Sequence, residues 1–259
     1  MSYLEYILLG IVQGLTEFFP ISSSGHLLLL RKLFGISDGG LLIEVAMHLG
    51  TLLSILVFWK KFISEKIKET IKGDFNYLFT IVIASIPAGI IGVLFEDKIK
   101  EYFFDISSVD YLIICYIILT IIIFSTKYFI NNKGLTITYL YAFLIGIAQA
   151  LAILPGLSRS GLTIFMALLL GLSFKKSMQF SFILAIPILI FSSVYLIFSN
   201  MSLLMLDISF LMELLVGILS SFLIGYGVLF MLEKIIDKGK FWYFSFYCLF
   251  ISLVLFYAS

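Results

Sequence analysis

The sequence predicts an all-α integral membrane protein with six transmembrane helices and two re-entrant helix hairpins, arranged as two inverted-topology repeats. Three observations predict this fold: the composition, a motif that occurs twice, and the placement of the lysines. Of the 259 residues, 61% are hydrophobic and 13% are charged, whereas soluble domains carry about a quarter charged residues. The chain therefore needs a lipid bilayer as its partner, and its net charge of +1 indicates no nucleic-acid partner.

Six apolar segments are long enough to cross a bilayer, which takes about 20 helical residues. They are 42–59, 77–95, 108–128, 177–198, 208–232 and 241–258. Two further apolar segments, 4–33 and 137–172, are interrupted at their centres by Pro, Gly and Ser. Each broken segment precedes three of the six spans. The chain is therefore predicted to form a single membrane domain, 1–259, with one repeat over about 1–130 and a second over about 137–259.

The two interruptions are related in sequence. LGIVQGLTEFFPISSSGH (9–26) aligns without a gap on IGIAQALAILPGLSRSGL (145–162). Identical residues fall at Gly10 and Gly146, Gln13 and Gln149, Leu15 and Leu151, Ser22 and Ser158, Ser24 and Ser160, and Gly25 and Gly161. Because each repeat holds three crossings, the repeats run antiparallel, and the broken segments are expected to meet near the middle of the membrane.

Lysines predict the orientation in the membrane. Four loops carry them: Lys60, Lys61, Lys66, Lys68 and Lys72; Lys127 and Lys133; Lys175 and Lys176; and Lys234, Lys238 and Lys240. All four loops share one face only if each broken segment returns to the side it entered, which favours re-entrant hairpins. The opposite loops, 96–107 and 199–207, hold two lysines and five acids. By the positive-inside rule the lysine face is cytoplasmic, and both termini are outside.

The first interruption places polar groups at membrane depth. Gln13 and Glu17 are four residues apart and share one helix face. Pro20 ends that helix, and the serines 22–24 are N-cap residues that predict a second half-helix running through His26. The N-terminus of such a half-helix attracts an anion.

The second interruption adds a cation. Pro155 and Gly156 break the helix, Ser158 caps the next one, and Arg159 brings a full positive charge. Two half-helix N-termini and Arg159 together predict a site for a phosphate or pyrophosphate. Each ionised group at mid-membrane costs about 2.5–3.5 kcal/mol on insertion scales, which favours a functional role. A structural Glu17–Arg159 salt bridge is the alternative.

Hydrolysis of a phosphate needs a nucleophile, a proton-transfer group and neutralisation of oxygen charge. Ser23 is the candidate nucleophile, and His26, three residues on, is the candidate base. Arg159 and backbone amides would hold the phosphate oxygens. Glu17 beside a phosphate is best explained as a ligand for Mg²⁺ or a similar hard cation. His48, on the next span, is as consistent with a structural role as with a functional one.

QGLTEFFPISSSGH together with PGLSRSG resembles the bacterial undecaprenyl pyrophosphate phosphatases of the BacA/UppP type. The resemblance extends along the whole chain, including IEVAMHLGTLLSILVFW and SFILAIP. Gln13 stands where the family motif has Glu or Gln, which weakens its assignment as a metal ligand beside Glu17.

The resemblance implies an enzyme that converts undecaprenyl pyrophosphate to undecaprenyl phosphate, recycling a lipid carrier for cell-wall synthesis, with a link to bacitracin resistance. It implies dependence on Mg²⁺ or Ca²⁺, a location in the bacterial cell membrane and a site open to the extracytoplasmic side. The catalytic group carried over is Glu17, Ser23, His26 and Arg159. Substrate-binding candidates around it are Ser22, Ser24, Gly25, Gly156, Ser158 and Ser160.

Three questions stay open at the level of sequence. The nucleophile is Ser23, His26 or a metal-bound water. A polyprenyl-phosphate flippase or another inverted-repeat transporter is the competing class, because broken helices in inverted repeats are common in transporters. The sequence is compatible with a homodimer but contains no pattern that selects one.

Overall fold

The computed structural model describes residues 2–35, 40–95, 110–129, 135–199 and 208–258. The described residues are helical and contain no strand. The helices, in chain order, are α1 Tyr3–Phe18, α2 Ser23–Phe34, α3 Gly40–Phe58, α4 Lys60–Ile71, α5 Asn76–Leu94, α6 Asp110–Ser125, α7 Tyr139–Leu151, α8 Arg159–Leu169, α9 Phe174–Ser199, α10 Ile208–Asp237 and α11 Phe244–Ala258. Short 3₁₀ turns, Thr126–Phe129 and Phe241–Tyr243, follow α6 and precede α11.

Four described helices are long and apolar enough to cross a membrane: Asn76–Leu94, Asp110–Phe129, Phe174–Tyr195 and Ile208–Asp237. A fifth candidate is the bent pair of Leu42–Phe58 with Lys60–Ile71, whose axes differ by 75°. The predicted span 241–258 corresponds to a shorter apolar helix. The loops predicted at 96–107 and 200–207, and Lys133, lie outside the described residues.

One element differs from the prediction. The lysine-rich segment after Phe58 was expected to be a loop, and it forms helix α4 instead. Lys66 bonds Glu69 at 2.6 Å on the same helix, and such pairs three residues apart stabilise a helix. The prediction of a loop is wrong here, because pairs of opposite charge three residues apart allow this charged segment to form a helix, Lys60–Ile71.

The helices pack through small residues. A Cβ added to Gly10 of α1 would lie 2.3 Å from the carbonyl oxygen of Gly217 on α10, and one added to Gly146 of α7 would lie 2.4 Å from that of Ala84 on α5. Such close backbone approach is typical of helix pairs in membranes. Gly10 and Gly146 are aligned positions of the repeated motif, so the two copies use the same residue for the same kind of contact.

Each broken segment forms a helical hairpin that begins and ends at the same end of the bundle. In the first hairpin, Tyr6 near the start of α1 contacts Phe210 near the start of α10. Near the end of α2, Arg31 pairs with Glu44 near the start of α3 at 2.9 Å. The start of α1 and the end of α2 therefore both lie where α10 and α3 begin.

The second hairpin has the opposite arrangement. At its start, the Tyr139 hydroxyl donates to Asn76 Oδ1 at the beginning of α5, at 2.9 Å. At its end, the carbonyl oxygen of Gly171 accepts from the Leu135 amide, at 3.2 Å, just before α7. This hairpin therefore begins and ends at the end of the bundle where α5 and α9 begin.

The described lysine-bearing segments are linked to one another by contacts. These are Lys127 over the Trp242 ring at 4.9 Å, Lys175 with Glu233 at 3.4 Å, Lys176 with the Leu135 carbonyl at 3.4 Å, and Tyr139 with Asn76 at 2.9 Å. The segments after α3, after α6, before α9 and at the end of α10 therefore meet at one end of the bundle.

The main apolar core lies around the hairpin tips. It includes Phe18, Leu28, Tyr116, Leu119 and Ile164, each at 0% exposure. The outer helix faces, by contrast, expose many large apolar side chains, such as those along α5, α10 and α11. A helix that is apolar on its outer as well as its inner face is typical of a lipid-exposed span.

Candidate functional site

The first interruption has an unusual backbone. Helix α1 ends at Phe18, before Pro20, as the sequence predicts. Ser22 caps α2, with its Oγ accepting from the Gly25 amide at 3.4 Å, and has a φ of +67°. Ser22 is the only non-glycine residue with positive φ in the described part of the chain. Backbone in such a region costs about 1–3 kcal/mol and is often found at functional sites.

The second interruption repeats the capping arrangement. Ser158 caps α8, and its Oγ accepts from the Gly161 amide at 3.1 Å. The aligned serines therefore cap equivalent helices, which confirms the capping role predicted for both. Before the cap, Gly156 has a φ of +93°, and an added Cβ there would lie 2.6 Å from Cys115 Cβ. Only glycine fits both the left-handed backbone and this close approach.

The two tips bond directly to each other. The Gly156 amide donates to Ser22 Oγ at 3.0 Å, and Ser160 Oγ donates to the Phe19 carbonyl at 3.3 Å. Arg159, the first residue of α8, pairs with Glu17 at the end of α1. The expectation that the broken segments meet is confirmed by these contacts, which join residues more than 130 positions apart.

Glu17 is the centre of the site and is 7% exposed. One carboxylate oxygen, Oε1, accepts from Arg159. The other, Oε2, accepts from the Ser23 hydroxyl at 2.6 Å and from the Gln13 amide at 3.0 Å. The Nε2 of His48 lies 3.5 Å from the same Oε2. Four of the predicted site residues therefore meet around one carboxylate: Gln13, Glu17, Ser23 and Arg159.

Two polar atoms at this centre lack a partner. Among the described residues, Arg159 Nη1 and Gln13 Oε1 are buried without a hydrogen bond. Buried polar groups are nearly always bonded, so each exception asks for an explanation. An unpaired guanidinium nitrogen, beside the N-termini of two helices, is suited to an anionic oxygen of a ligand.

His26 lies next to this centre, and among the described residues it bonds other partners and not Ser23. Its Nδ1 lies 2.7 Å from the Ser22 carbonyl oxygen and 3.1 Å from the Tyr116 hydroxyl. Because a carbonyl can only accept, Nδ1 carries the proton. Nε2 then accepts from the Tyr247 hydroxyl at 2.7 Å. The hydroxyl of Ser23 donates to Glu17 and not to His26, so the predicted Ser23–His26 pair is not formed in this geometry.

Sequence reasoning missed both tyrosines around His26 and gave His48 little weight. Tyr116 and Tyr247 carried no signal, because the chain has 14 tyrosines and 27 phenylalanines, most in apolar helices. His48 did carry one, since the chain has only two histidines and a histidine within an apolar span is rare. The predicted residue Gly25 packs closely against one of these tyrosines, since an added Cβ would lie 2.7 Å from the Tyr116 hydroxyl.

The remaining predicted site serines support the tips. Ser24 Oγ lies 3.4 Å from Ser22 Oγ, and Ser160 Oγ lies 3.1 Å from Ser158 Oγ. Each cap serine is therefore held by the serine two positions later, in both copies of the motif. These contacts position the helix N-termini.

An apolar cavity of about 500 Å³ opens beside the site. Its lining residues are Leu15, Thr16, Phe19, Ile21, Ile235, Lys240, Tyr243, Phe244 and Tyr247. Tyr247 connects the cavity to His26, and Lys240 places a positive charge among the apolar lining residues. The cavity therefore lies beside His26, in a groove lined by residues of α1, α10 and α11.

The fold and site together define a multi-pass helical membrane protein in which two helix tips enclose a buried carboxylate, a guanidinium and serine hydroxyls. The family model described as bacitracin resistance protein BacA matches residues 6–254. The chain belongs to this family.

Similar curated proteins cover almost all of the chain. It is 39% identical to an undecaprenyl-diphosphatase of Methanococcus vannielii over 98% of this chain and 100% of that protein. It is 39% identical to an undecaprenyl-diphosphatase of Thermosipho melanesiensis over 95% of this chain and 96% of that protein. It is 38% identical to an undecaprenyl-diphosphatase of Carboxydothermus hydrogenoformans over 95% of this chain and 94% of that protein.

Proposed function

We propose that this chain is an integral membrane phosphatase that hydrolyses undecaprenyl pyrophosphate to undecaprenyl phosphate and inorganic phosphate. The observation that carries the proposal is the meeting of the two helix tips, where Glu17 binds both Arg159 and the Ser23 hydroxyl. Membership of the BacA family and the names of the relatives point to the same reaction.

The pyrophosphate would bind between the two helix N-termini. The unpartnered Arg159 Nη1 donates to a phosphate oxygen, and free amides in the first turns of α2 and α8 add further donors. Burial at this position strengthens each charge-assisted bond. The Glu17–Arg159 pair could instead be purely structural, but a structural pair does not require an unpartnered guanidinium nitrogen.

The polyprenyl chain would follow the apolar cavity away from the phosphate. Tyr247 lines that cavity and bonds His26, and the lining is nearly all apolar. A long hydrocarbon chain is stabilised there by burial of its apolar surface.

Ser23 is the proposed nucleophile. Its Oγ attacks the terminal phosphorus, the bond from that phosphorus to the bridging oxygen breaks, and undecaprenyl phosphate leaves. Ser23 already donates to Glu17 at 2.6 Å, which orients the hydroxyl, and its proton is transferred to the bridging oxygen of the leaving undecaprenyl phosphate. Water then attacks the phosphoserine, which releases phosphate and restores the hydroxyl. His26 is the proposed acid–base group for this second step, since it lies three residues from Ser23 on α2.

The site also fits the divalent cation, Mg²⁺ or Ca²⁺, that the family implies. Glu17 offers a carboxylate, and Gln13 offers a buried amide oxygen without a partner. Mg²⁺ is commonly held by one or two carboxylates together with substrate phosphates. When bound, the cation would neutralise charge on the pyrophosphate oxygens, while Glu17 and Gln13 hold it against the tip of α2.

The membrane arrangement is proposed to be six spans and two re-entrant hairpins in two inverted repeats. This is supported by the two hairpins beginning and ending at opposite ends of the bundle and by the matching glycine contacts of α1 with α10 and α7 with α5. Re-entry of the first hairpin is supported by its two ends, since the start of α1 and the end of α2 both lie where α10 and α3 begin. The homodimer compatible with the sequence stays a prediction.

The linked lysine segments support a cytoplasmic position for that end of the bundle. Both termini then lie outside, and the site is reached from the extracytoplasmic side of the cell membrane. The product would be the lipid carrier used in cell-wall synthesis, and removal of pyrophosphate lipid would lower the target available to bacitracin.

Phosphate release tests the proposal. Purified protein in detergent with Mg²⁺ is expected to release phosphate from undecaprenyl pyrophosphate, and Glu17→Ala is expected not to. No release by the wild-type protein, with retained lipid binding, would favour the transporter class. Trapping a phosphorylated protein and mapping the labelled residue decides between Ser23, His26 and a water nucleophile.

A further inference from the structure

His48 is oriented by the backbone of its own helix. Its Nδ1 lies 2.7 Å from the carbonyl oxygen of Glu44, one turn earlier on α3. Because that carbonyl can only accept, Nδ1 carries the proton, and Nε2 of the neutral ring carries a lone pair. Metal-binding histidines are typically held in this way, with the distal nitrogen bonded to a carbonyl or carboxylate.

The free nitrogen of His48 faces the carboxylate of Glu17. The Nε2–Oε2 distance is 3.5 Å, and both atoms carry lone pairs in this tautomer. Two lone pairs at that distance repel unless a positive charge lies with them, which either a second proton on His48, forming an ion pair with Glu17, or a bound cation supplies. The unpartnered, fully buried Oε1 of Gln13 belongs to the same cluster, since its amide nitrogen bonds Oε2.

The spacing of donors around Glu17 matches a coordination shell. Ser23 Oγ, the Gln13 amide and His48 Nε2 lie 2.6, 3.0 and 3.5 Å from Oε2. Neighbouring ligands in an octahedral shell with bonds of 2.0–2.1 Å are about 3 Å apart. Rotating the Gln13 side-chain amide by half a turn would place its unpartnered Oε1 where its Nε2 now lies.

We propose that His48 is a nitrogen ligand of the divalent cation, beside Glu17 Oε2 and the Gln13 amide oxygen. The described residues contain no group of three or more His, Cys, Asp and Glu side chains arranged for a metal. Substrate oxygens and water would complete the shell. The inference rests on the proposed function only for the requirement of a divalent cation at Glu17.

This assignment also explains how Gln13 can serve at a motif position that the family fills with Glu or Gln. Gln13 supplies a neutral oxygen where a second carboxylate would bring a charge, and His48 supplies a further donor from α3. An imidazole ligand is foreign to the all-oxygen shells that Ca²⁺ takes. The site is therefore expected to prefer a small or transition divalent cation, such as Mn²⁺, over Ca²⁺.

Pulsed electron paramagnetic resonance of bound Mn²⁺ tests the proposal on the full chain in detergent, purified without a histidine tag. Nitrogen coupling from one imidazole is expected in the wild-type protein, with the coupling changing when the histidines carry ¹⁵N. Because the chain has two histidines, His26→Gln is the matched control and should keep the coupling. His48→Gln should lose it and weaken Mn²⁺ binding at least about 10-fold, since even outer-shell changes cost 10–100-fold.

Wild-type protein that binds no Mn²⁺, or binds it without nitrogen coupling, overturns the proposal, as does loss of coupling in His26→Gln. These outcomes do not depend on whether His48→Gln folds. Phosphate release from the same wild-type preparation is measured in parallel. Phosphate release without nitrogen coupling would refute only the role of His48 as a metal ligand. Nitrogen coupling without phosphate release would refute the proposed phosphatase activity and would keep the metal site.

Discussion

The two hairpin tips have the same backbone design and carry different chemistry. In both, a serine caps a short helix and a serine two positions later bonds the cap. At the aligned positions, however, the first copy has Glu17 and Ser23 where the second has Ile153 and Arg159. The repeated backbone therefore supplies two helix N-termini. Divergence at the two aligned positions places the carboxylate and the proposed nucleophile in the first tip and the phosphate-binding Arg159 in the second.

The aligned glutamines illustrate the same divergence. Gln13 donates to Glu17 at the site, at 3.0 Å, whereas Gln149 donates to the Ala84 carbonyl of α5, at 3.5 Å. The first glutamine takes part in the charged centre, whereas the second bridges two helices and likewise has a buried Oε1 without a partner among the described residues. Identity between the copies therefore does not imply an identical role.

The largest expected effect concerns the first tip. Ser23→Ala removes the proposed nucleophile and is expected to lower phosphate release at least about 10³-fold, on the scale of nucleophile removal in other hydrolases. Ser85→Ala is the control, since among the described residues the Ser85 hydroxyl bonds only the Ile81 carbonyl of its own helix. Activity of Ser23→Ala within tenfold of wild type would shift the nucleophile to His26 or water.

The second expected effect concerns Arg159, the cation of the second tip. Arg159→Gln is expected to lower phosphate release about 10²–10³-fold, the cost of losing one donor to developing charge. It also leaves Glu17 buried without its partner, which costs about 3–5 kcal/mol of stability. Activity and thermal unfolding in detergent measure the two effects.

The double variant Glu17→Gln, Arg159→Gln separates structure from function. Removing both charges is expected to restore most of the stability lost in Arg159→Gln, because no unpaired charge remains. Activity should stay lost. Recovery of activity together with stability would mean that the pair is only structural.

A third, smaller effect compares the two caps. Ser158→Ala is expected to cost about 1 kcal/mol of unfolding free energy, as for other N-cap serines. Ser22→Ala should cost roughly 1 kcal/mol more, because the Gly156 amide also loses its acceptor. Chemical denaturation of the two variants measures the difference. Equal costs would indicate that the bond between the tips contributes nothing.

Much of this arrangement could be predicted from residue patterns. The ends of α1 and the caps at Ser22 and Ser158 follow from local rules, since Pro20 stops a helix and serine accepts from the next turn. The meeting of Glu17 and Arg159 followed from the repeat, because antiparallel copies bring their tips together. Each of these inferences used spacing within a short segment or symmetry between two segments.

The partners of individual atoms could not be predicted in this way. His26 and Ser23 are three residues apart on one helix, yet Ser23 bonds Glu17 and His26 bonds Tyr247 of α11. That choice depends on the rotamers and on a helix more than 200 residues away in sequence. Similarly, His48 reaches Glu17 only through the packing of α3 against α1, which no local pattern records.

The smallest expected effect tests the apolar cavity beside the first tip. Leu15→Trp places a larger ring at a cavity-lining position of α1 that is 38% exposed. Leu8→Trp is the matched control, because Leu8 lies two turns earlier on the same face, is 39% exposed and does not line the cavity.

If the polyprenyl chain occupies the cavity, Leu15→Trp should raise KM several-fold for undecaprenyl pyrophosphate and leave KM for a short-chain analogue unchanged. Leu8→Trp should change neither KM. An equal effect on both chain lengths would place the obstruction at the phosphate, and no effect would place the hydrocarbon elsewhere on the apolar surface.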